Sequence, residues 1–108
     1  MTTAFTPLTS ITFDEAINAS DVPVVVDVWA EWCQPCKMLE PVLASIAEDH
    51  AGRIEVRSLD ADEHPDITRR YGVMAMPTLL VFDHGELVHR VVGAKGKGPL
   101  LQELAAIL

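Results

Sequence analysis

The chain has 108 residues, 49% of them apolar, and carries 8 Lys and Arg against 16 Asp and Glu for a net charge of −8. Residues 1-108 therefore read as a single domain with its own core rather than a disordered chain, and the negative charge disfavours nucleic acid and anionic membrane as partners. No apolar run approaches the roughly 18–20 residues that cross a bilayer, and Met1 to Leu8 lacks a basic segment leading into an apolar one. A cytoplasmic location is the expectation.

A weak first strand is expected near Leu8–Ile11. Thr12-Phe-Asp-Glu15 has the form of a capping box and predicts a short helix over 13–19. Pro23 to Trp29 is a β-branched run, apolar at odd and even positions alike, as in a central strand covered on both faces. The spacing of Leu39, Val42, Leu43, Ile46 and Ala47 predicts a helix over about 34–49, with Pro35 in its first turn and a kink at Pro41. Residues 53–59 alternate as a strand. Pro65 and Asp66 open the next helix, Arg69 and Arg70 favour its end, and Gly72 stops it. Thr78–Phe82 and Glu86–Val92 are two strands joined through Asp83-His84-Gly85 as a hairpin. Gly98-Pro99 starts a last helix, with Leu101, Leu104, Ala105 and Leu108 on one face. The order β-α-β-α-β-α-β-β-α predicts an α/β fold, a three-layer α/β/α sandwich.

The chain holds two cysteines, Cys33 and Cys36, placed within Trp32-Cys33-Gln34-Pro35-Cys36 at the start of the second helix. Two thiols so spaced can close a small disulfide ring and open it again. A helix N-terminus favours the thiolate of Cys33 through unpaired N–H groups and the helix dipole. The thiolate is the nucleophile of disulfide exchange, so the motif reads as a redox device, and a pair without an export signal points to a reducing compartment. Cys36, one turn further on, is expected to be less exposed, to keep a higher pKa and to resolve the mixed disulfide. A metal site is the formal rival, since Cys33, Cys36, His84 and His89 make a Cys2His2 set. The 47 residues between Cys36 and His84 exceed finger spacing, so no metal is expected. A binding module with incidental thiols is the other rival. Asp27 is an acid inside a buried strand, where an unpaired carboxylate is costly. It reads either as a base of raised pKa or as a group bonded to a backbone N–H at a strand end.

In this element order, Val26-Asp27-Val28-Trp29-Ala30-Glu31-Trp32-Cys33-Gln34-Pro35-Cys36-Lys37 resembles the central strand and active-site turn of the thioredoxin family. Pro41 matches that family's helix kink, Tyr71 to Thr78 is similar to its cis-proline segment, and Val92-Gly93-Ala94 to the segment whose glycine lines its peptide groove. The resemblance spans nearly the whole chain. It implies a thioredoxin fold with a central mixed five-stranded sheet and four helices. It also implies a protein-disulfide reductase working by dithiol–disulfide exchange, with Cys33 as nucleophile and Cys36 as resolving thiol. Asp27 is then the base that takes the Cys36 proton, directly or through a water.

The same resemblance makes the bond before Pro77 cis and leaves the backbone of Met76 free to pair with an extended substrate. Trp32, Ala75, Met76, Pro77 and Gly93 become the substrate-binding residues, with Met74 and Ala94 beside them. Gln34, Pro35 and Lys37 become residues that tune the redox poise. No bound cofactor is implied beyond the Cys33–Cys36 disulfide itself, reduced indirectly by NADPH through a flavoprotein, thioredoxin reductase. The remaining partners are protein disulfides, and the chain is expected to be a monomer. Three departures from the family pattern stand out: Gln34 replaces a common glycine, the pair Ala75-Met76 replaces glycine-isoleucine, and Ser58 stands where a lysine near the buried aspartate is common.

Overall fold

Val24 to Trp29 is buried at every position, which places this strand at the centre of the sheet with helices over both faces. The computed structural model describes residues 5–108. Its elements are β1 (Thr6–Pro7), α1 (Phe13–Ala19), β2 (Val24–Trp29), α2 (Gln34–Asp49), β3 (Glu55–Asp60), α3 (Pro65–Arg70), β4 (Thr78–Asp83), β5 (Glu86–Val92) and α4 (Lys97–Glu103). They form one mixed five-stranded sheet in the order β1-β3-β2-β4-β5. β1, β3 and β2 run parallel, and β4 and β5 are antiparallel to their neighbours.

Alternation along β2 assigns the two faces. Val25 packs with Leu39, Leu43 and Ile46 of α2 and Leu100 of α4. Val24, Val26 and Val28 pack with Phe13 and Ile17 of α1 and Ile67 of α3. Two helices thus cover each face, completing the three layers expected from the sequence. Phe13, Tyr71 and Phe82 interlock on the α1 side, with ring centroids 5.3 to 5.7 Å apart.

Three local expectations need correction. The first strand is Thr6–Pro7, not Leu8–Ile11: Leu8 N–H still reaches Ser58 O at 2.7 Å, but the chain then turns and Ile11 is exposed. That turn is built by the Thr9 hydroxyl, which accepts from the N–H groups of Ile11 and Thr12. Thr12 precedes α1 but makes no side-chain cap, because its hydroxyl accepts from Thr9 N–H and its own backbone is already helical. In α4 the buried residue is Leu100, followed by the buried C-cap Leu104, while Leu101 is half-buried and Ala105, past the helix, is exposed. The helix starts at Lys97 and ends at Glu103, so Ala105 and Leu108 lie beyond the regular helix on which the expected face depends.

The hairpin between β4 and β5 turns on His84 (φ 52°) and Gly85 (φ 82°), the two positive values of a type I′ turn. Further along, Val81 pairs with His89 and Phe82 with Leu87, so Val88 is an extra residue forming a bulge. On the other side of the sheet, Gly72 (φ 63°) ends the α3 turn as the sequence suggests.

Candidate active site

The carboxyl end of β2 delivers Ala30 to Cys33 to the start of α2, between a parallel neighbour and an antiparallel one. Such a switch in strand direction opens a crevice where sites form. Cys33 is the N-cap of α2 (φ −90°, ψ 104°), and its Sγ accepts from Cys36 N–H at 3.2 Å. The two cysteines are joined by a disulfide, with Cα atoms 5.3 Å apart. Pro35 fits the first turn because its missing N–H would have no helical acceptor there. Trp29, Ala30, Cys33 and Cys36 form a small cluster of their own, and Met76 packs against it.

The expected difference in exposure between the sulfurs is absent in this oxidised form: Cys33 is 2% exposed and Cys36 1%. With the ring closed the two sulfurs are bonded to each other and both residues are buried, which sequence spacing does not reveal. What separates the two cysteines is the N-cap contact, since Cys33 receives the helix N–H and Cys36 supplies it.

Asp27 stands between Val25 and Trp29 on the face of β2 that α2 covers. It is 1% exposed, and its Oδ1 has no hydrogen-bond partner among the described residues. Burial pushes its carboxyl up to about 7, and the negative charge of Glu40 adds to the shift. Glu40 lies one α-helical turn beyond Cys36, so Asp27 faces the stripe of α2 to which Cys36 belongs. A raised pKa belongs to the first of the two sequence readings, and the unpartnered Oδ1 accepts from no backbone N–H among the described residues. Ser58 is the register partner of Asp27 across β3.

Of the remaining predicted residues, Met76 packs against the disulfide cluster. The Met76–Pro77 bond is cis. Ala75 is exposed and Met76 half-buried, while Pro77 O accepts from Gly93 N–H at 2.9 Å and Ala75 O from the Thr78 hydroxyl at 2.7 Å. Trp32 and Met74 are large apolar side chains left 70% and 95% exposed. Gln34, Pro35, Lys37 and Ala94 are exposed at the rim. His84 and His89 lie elsewhere, bonded to Asp83 and Glu103 on and near the hairpin. Among the described residues no group of three or more His, Cys, Asp or Glu could hold a metal.

Asp62 is a site residue that sequence reasoning missed. Its Oδ2 accepts from the Trp32 indole N–H at 2.9 Å, pinning an exposed ring beside Cys33. Asp60 shapes that loop, its Oδ1 accepting from Asp62 N–H and Glu63 N–H. In the sequence Asp62 is one of three acids in Asp60-Ala-Asp-Glu63, and nothing there singles it out.

Comparison with known proteins decides the family. The Thioredoxin family model matches residues 4–106. The chain belongs to the thioredoxin family. It is 45% identical to a thioredoxin of Mycobacterium tuberculosis over 101 residues, covering 94% of this chain and 87% of that one. A thioredoxin of Streptomyces clavuligerus is 46% identical over 95 residues, 88% of each chain. A bifunctional thioredoxin reductase/thioredoxin of Mycobacterium leprae is 42% identical over 101 residues, 94% of this chain but 22% of that longer protein. The thioredoxin family is one of protein-disulfide oxidoreductases, and the redox-active Cys33–Cys36 pair performs dithiol–disulfide exchange. No helix among the described residues is long and apolar enough to cross a membrane.

Proposed function

We propose that residues 1-108 act as one thioredoxin domain, a protein-disulfide reductase in which Cys33 attacks and Cys36 resolves. The observation that carries this division is the N-cap contact from Cys36 N–H to Cys33 Sγ. A thiolate at Cys33 inherits that hydrogen bond and the positive end of α2 when the ring opens. It attacks one sulfur of a substrate disulfide, forming a mixed disulfide and releasing the other substrate sulfur as thiolate. Cys36 then gives its proton to the Asp27 carboxylate and attacks Cys33 Sγ, closing the ring and expelling the second substrate thiolate. A carboxyl near pH 7 suits that proton transfer, being charged often enough to accept and acidic enough to release.

Substrate docks on Trp32, Ala75, Met76, Pro77 and Gly93, with an extended segment pairing along the Met76 backbone. Gln34, Pro35 and Lys37 set the poise of the pair from the rim. Recharging comes from NADPH through a flavoprotein thioredoxin reductase, a reading supported by the relative that carries reductase and thioredoxin in one chain. The protein works as a monomer in the cytoplasm, where a reducing supply keeps such a pair turning over.

Mixing each single-cysteine variant with a protein disulfide tests the division of labour. Cys36→Ser accumulates a covalent mixed disulfide on non-reducing gels, and Cys33→Ser accumulates none. Adducts on Cys36 of the Cys33→Ser variant would reverse the assignment. A chain that merely binds partners would keep its complexes in both variants without any covalent link.

A further inference from the structure

Arg90 lies on β5, opposite Leu80 of β4, with its stem half-buried. Its guanidinium reaches back to the end of α3, donating from Nη2 to Tyr71 O and from Nη1 to Gly72 O at 3.4 Å. Those carbonyls belong to the C-cap of α3 and the residue after it, where a cation is favoured and a planar fork can serve two acceptors. Three residues further along the same strand direction, Gly93 N–H donates to Pro77 O at 2.9 Å. The β5 end therefore holds both ends of the segment Val73 to Met76: Arg90 its entry, Gly93 its exit. Between the anchors Val73 N–H returns to Thr68 O at 2.9 Å, whereas Met74 stays 95% exposed. The segment thus exposes Met74 and Ala75 between half-buried Val73 and Met76, and is tied down at its ends.

We propose that Arg90 is a positioning residue for substrate capture, ordering the Val73–Met76 segment before a protein disulfide arrives. A segment already held in place loses less conformational freedom when a substrate chain pairs with it, so more of the contact energy appears as affinity. Arg90 acts on docking and not on the sulfur chemistry, which it does not touch. The inference rests on the reading that the Ala75–Met76 backbone docks the substrate.

The experiment mixes prereduced protein with insulin, a protein disulfide, and separately with a small aromatic disulfide that needs no backbone pairing. Arg90→Met is expected to lower the second-order rate constant for insulin roughly tenfold while the small disulfide changes less than about twofold. Arg90→Lys, which can still donate to a carbonyl, is expected to recover most of the insulin rate. The equilibrium of the Cys33–Cys36 pair with glutathione stays unchanged in both. Equal losses with both disulfides, or no loss with either, overturn the inference. Ala75→Asp separates the two levels: if it slows insulin selectively and Arg90→Met does not, docking stands and the role of Arg90 falls. If neither variant is selective, the docking reading falls with it.

Discussion

Asp27 and Ser58 are register partners across β2 and β3, both 1% exposed, and Ser58 turns its hydroxyl toward Phe5 O at 3.3 Å. A lysine common at this position in the family is thus replaced by a small neutral side chain engaged with the first edge of the sheet. The acid keeps its burial penalty, and the charge that acts on it, Glu40, is of the same sign.

Stability should therefore fall as pH rises. The folded carboxyl titrates at about 7 against an ordinary 3.8, so the folded protein binds more protons between those values. The loss begins above the lower value, grows through neutrality and is complete beyond the upper one. At about 1.4 kcal/mol per pH unit its ceiling is about 4 kcal/mol. Asp27→Asn removes the ionising group, so urea unfolding of the oxidised protein should show the variant more stable at pH 8, with the gain gone at pH 4. A gain of equal size at both pH values would mean that ionisation is not its source.

The same substitution should cost activity. Without a base for Cys36, the mixed disulfide persists, and its decay should slow by about a hundredfold, the lower end of a general-base contribution. Wild-type decay should accelerate through an apparent pKa near 7 that the variant lacks. Quenched-flow trapping of the adduct with iodoacetamide reads both, and an unaltered lifetime would remove Asp27 from the proton path.

Asp62→Ala deletes the acceptor that holds the Trp32 indole. Because the ring is exposed and its bond is to a charged group, the variant should fold normally and reduce protein disulfides about threefold more slowly. Indole fluorescence anisotropy should fall as the ring gains freedom. Unchanged anisotropy would show that packing alone fixes Trp32.

Gly85→Ala attacks the hairpin. Gly85 sits at φ +82°, and a Cβ there would stand 1.9 Å from Asn18 Oδ1, whose amide is held by Asp14 O. Positive φ costs an L-residue about 1 kcal/mol, and dislodging Asn18 adds to it. A thermal midpoint lowered by several degrees is expected, while the Cys33–Cys36 equilibrium stays put. An unshifted midpoint would mean that the turn relaxes freely.

Features encoded within a few residues are legible in the sequence. β2 is apolar on both sides because both faces are covered, and Cys33, Gln34 and Pro35 spell a helix start through backbone chemistry alone. The positive φ values of His84 and Gly85 follow from the turn residues flanked by two apolar runs. Long-range partners are not legible. Nothing local links Trp32 to Asp62, 30 residues apart, or Arg90 to the carbonyls of Tyr71 and Gly72. Thr12 misleads for the converse reason: its capping-box spacing is right, but Thr9 is close enough to claim its hydroxyl. Leu100 escapes the spacing argument because the helix ends at Glu103, so its buried side runs through Leu100 to the Leu104 cap, four residues on, and the helical spacing does not extend to Ala105 and Leu108.

The bulge at Val88 has a bearing on how such a protein keeps to itself. A sheet with two open edges offers extended chains, and its own copies, a template for unwanted pairing. β5 is the longer open edge, and Val88 breaks its row of amides and carbonyls in mid-strand while Glu86, His89 and Arg90 crowd the same stretch with ionisable groups. The opposite edge, β1, is two residues long and ends in a proline. Irregularity, charge and brevity are the means by which natural sheets refuse an extra strand. Both edges of the sheet are thereby poor partners for an added strand.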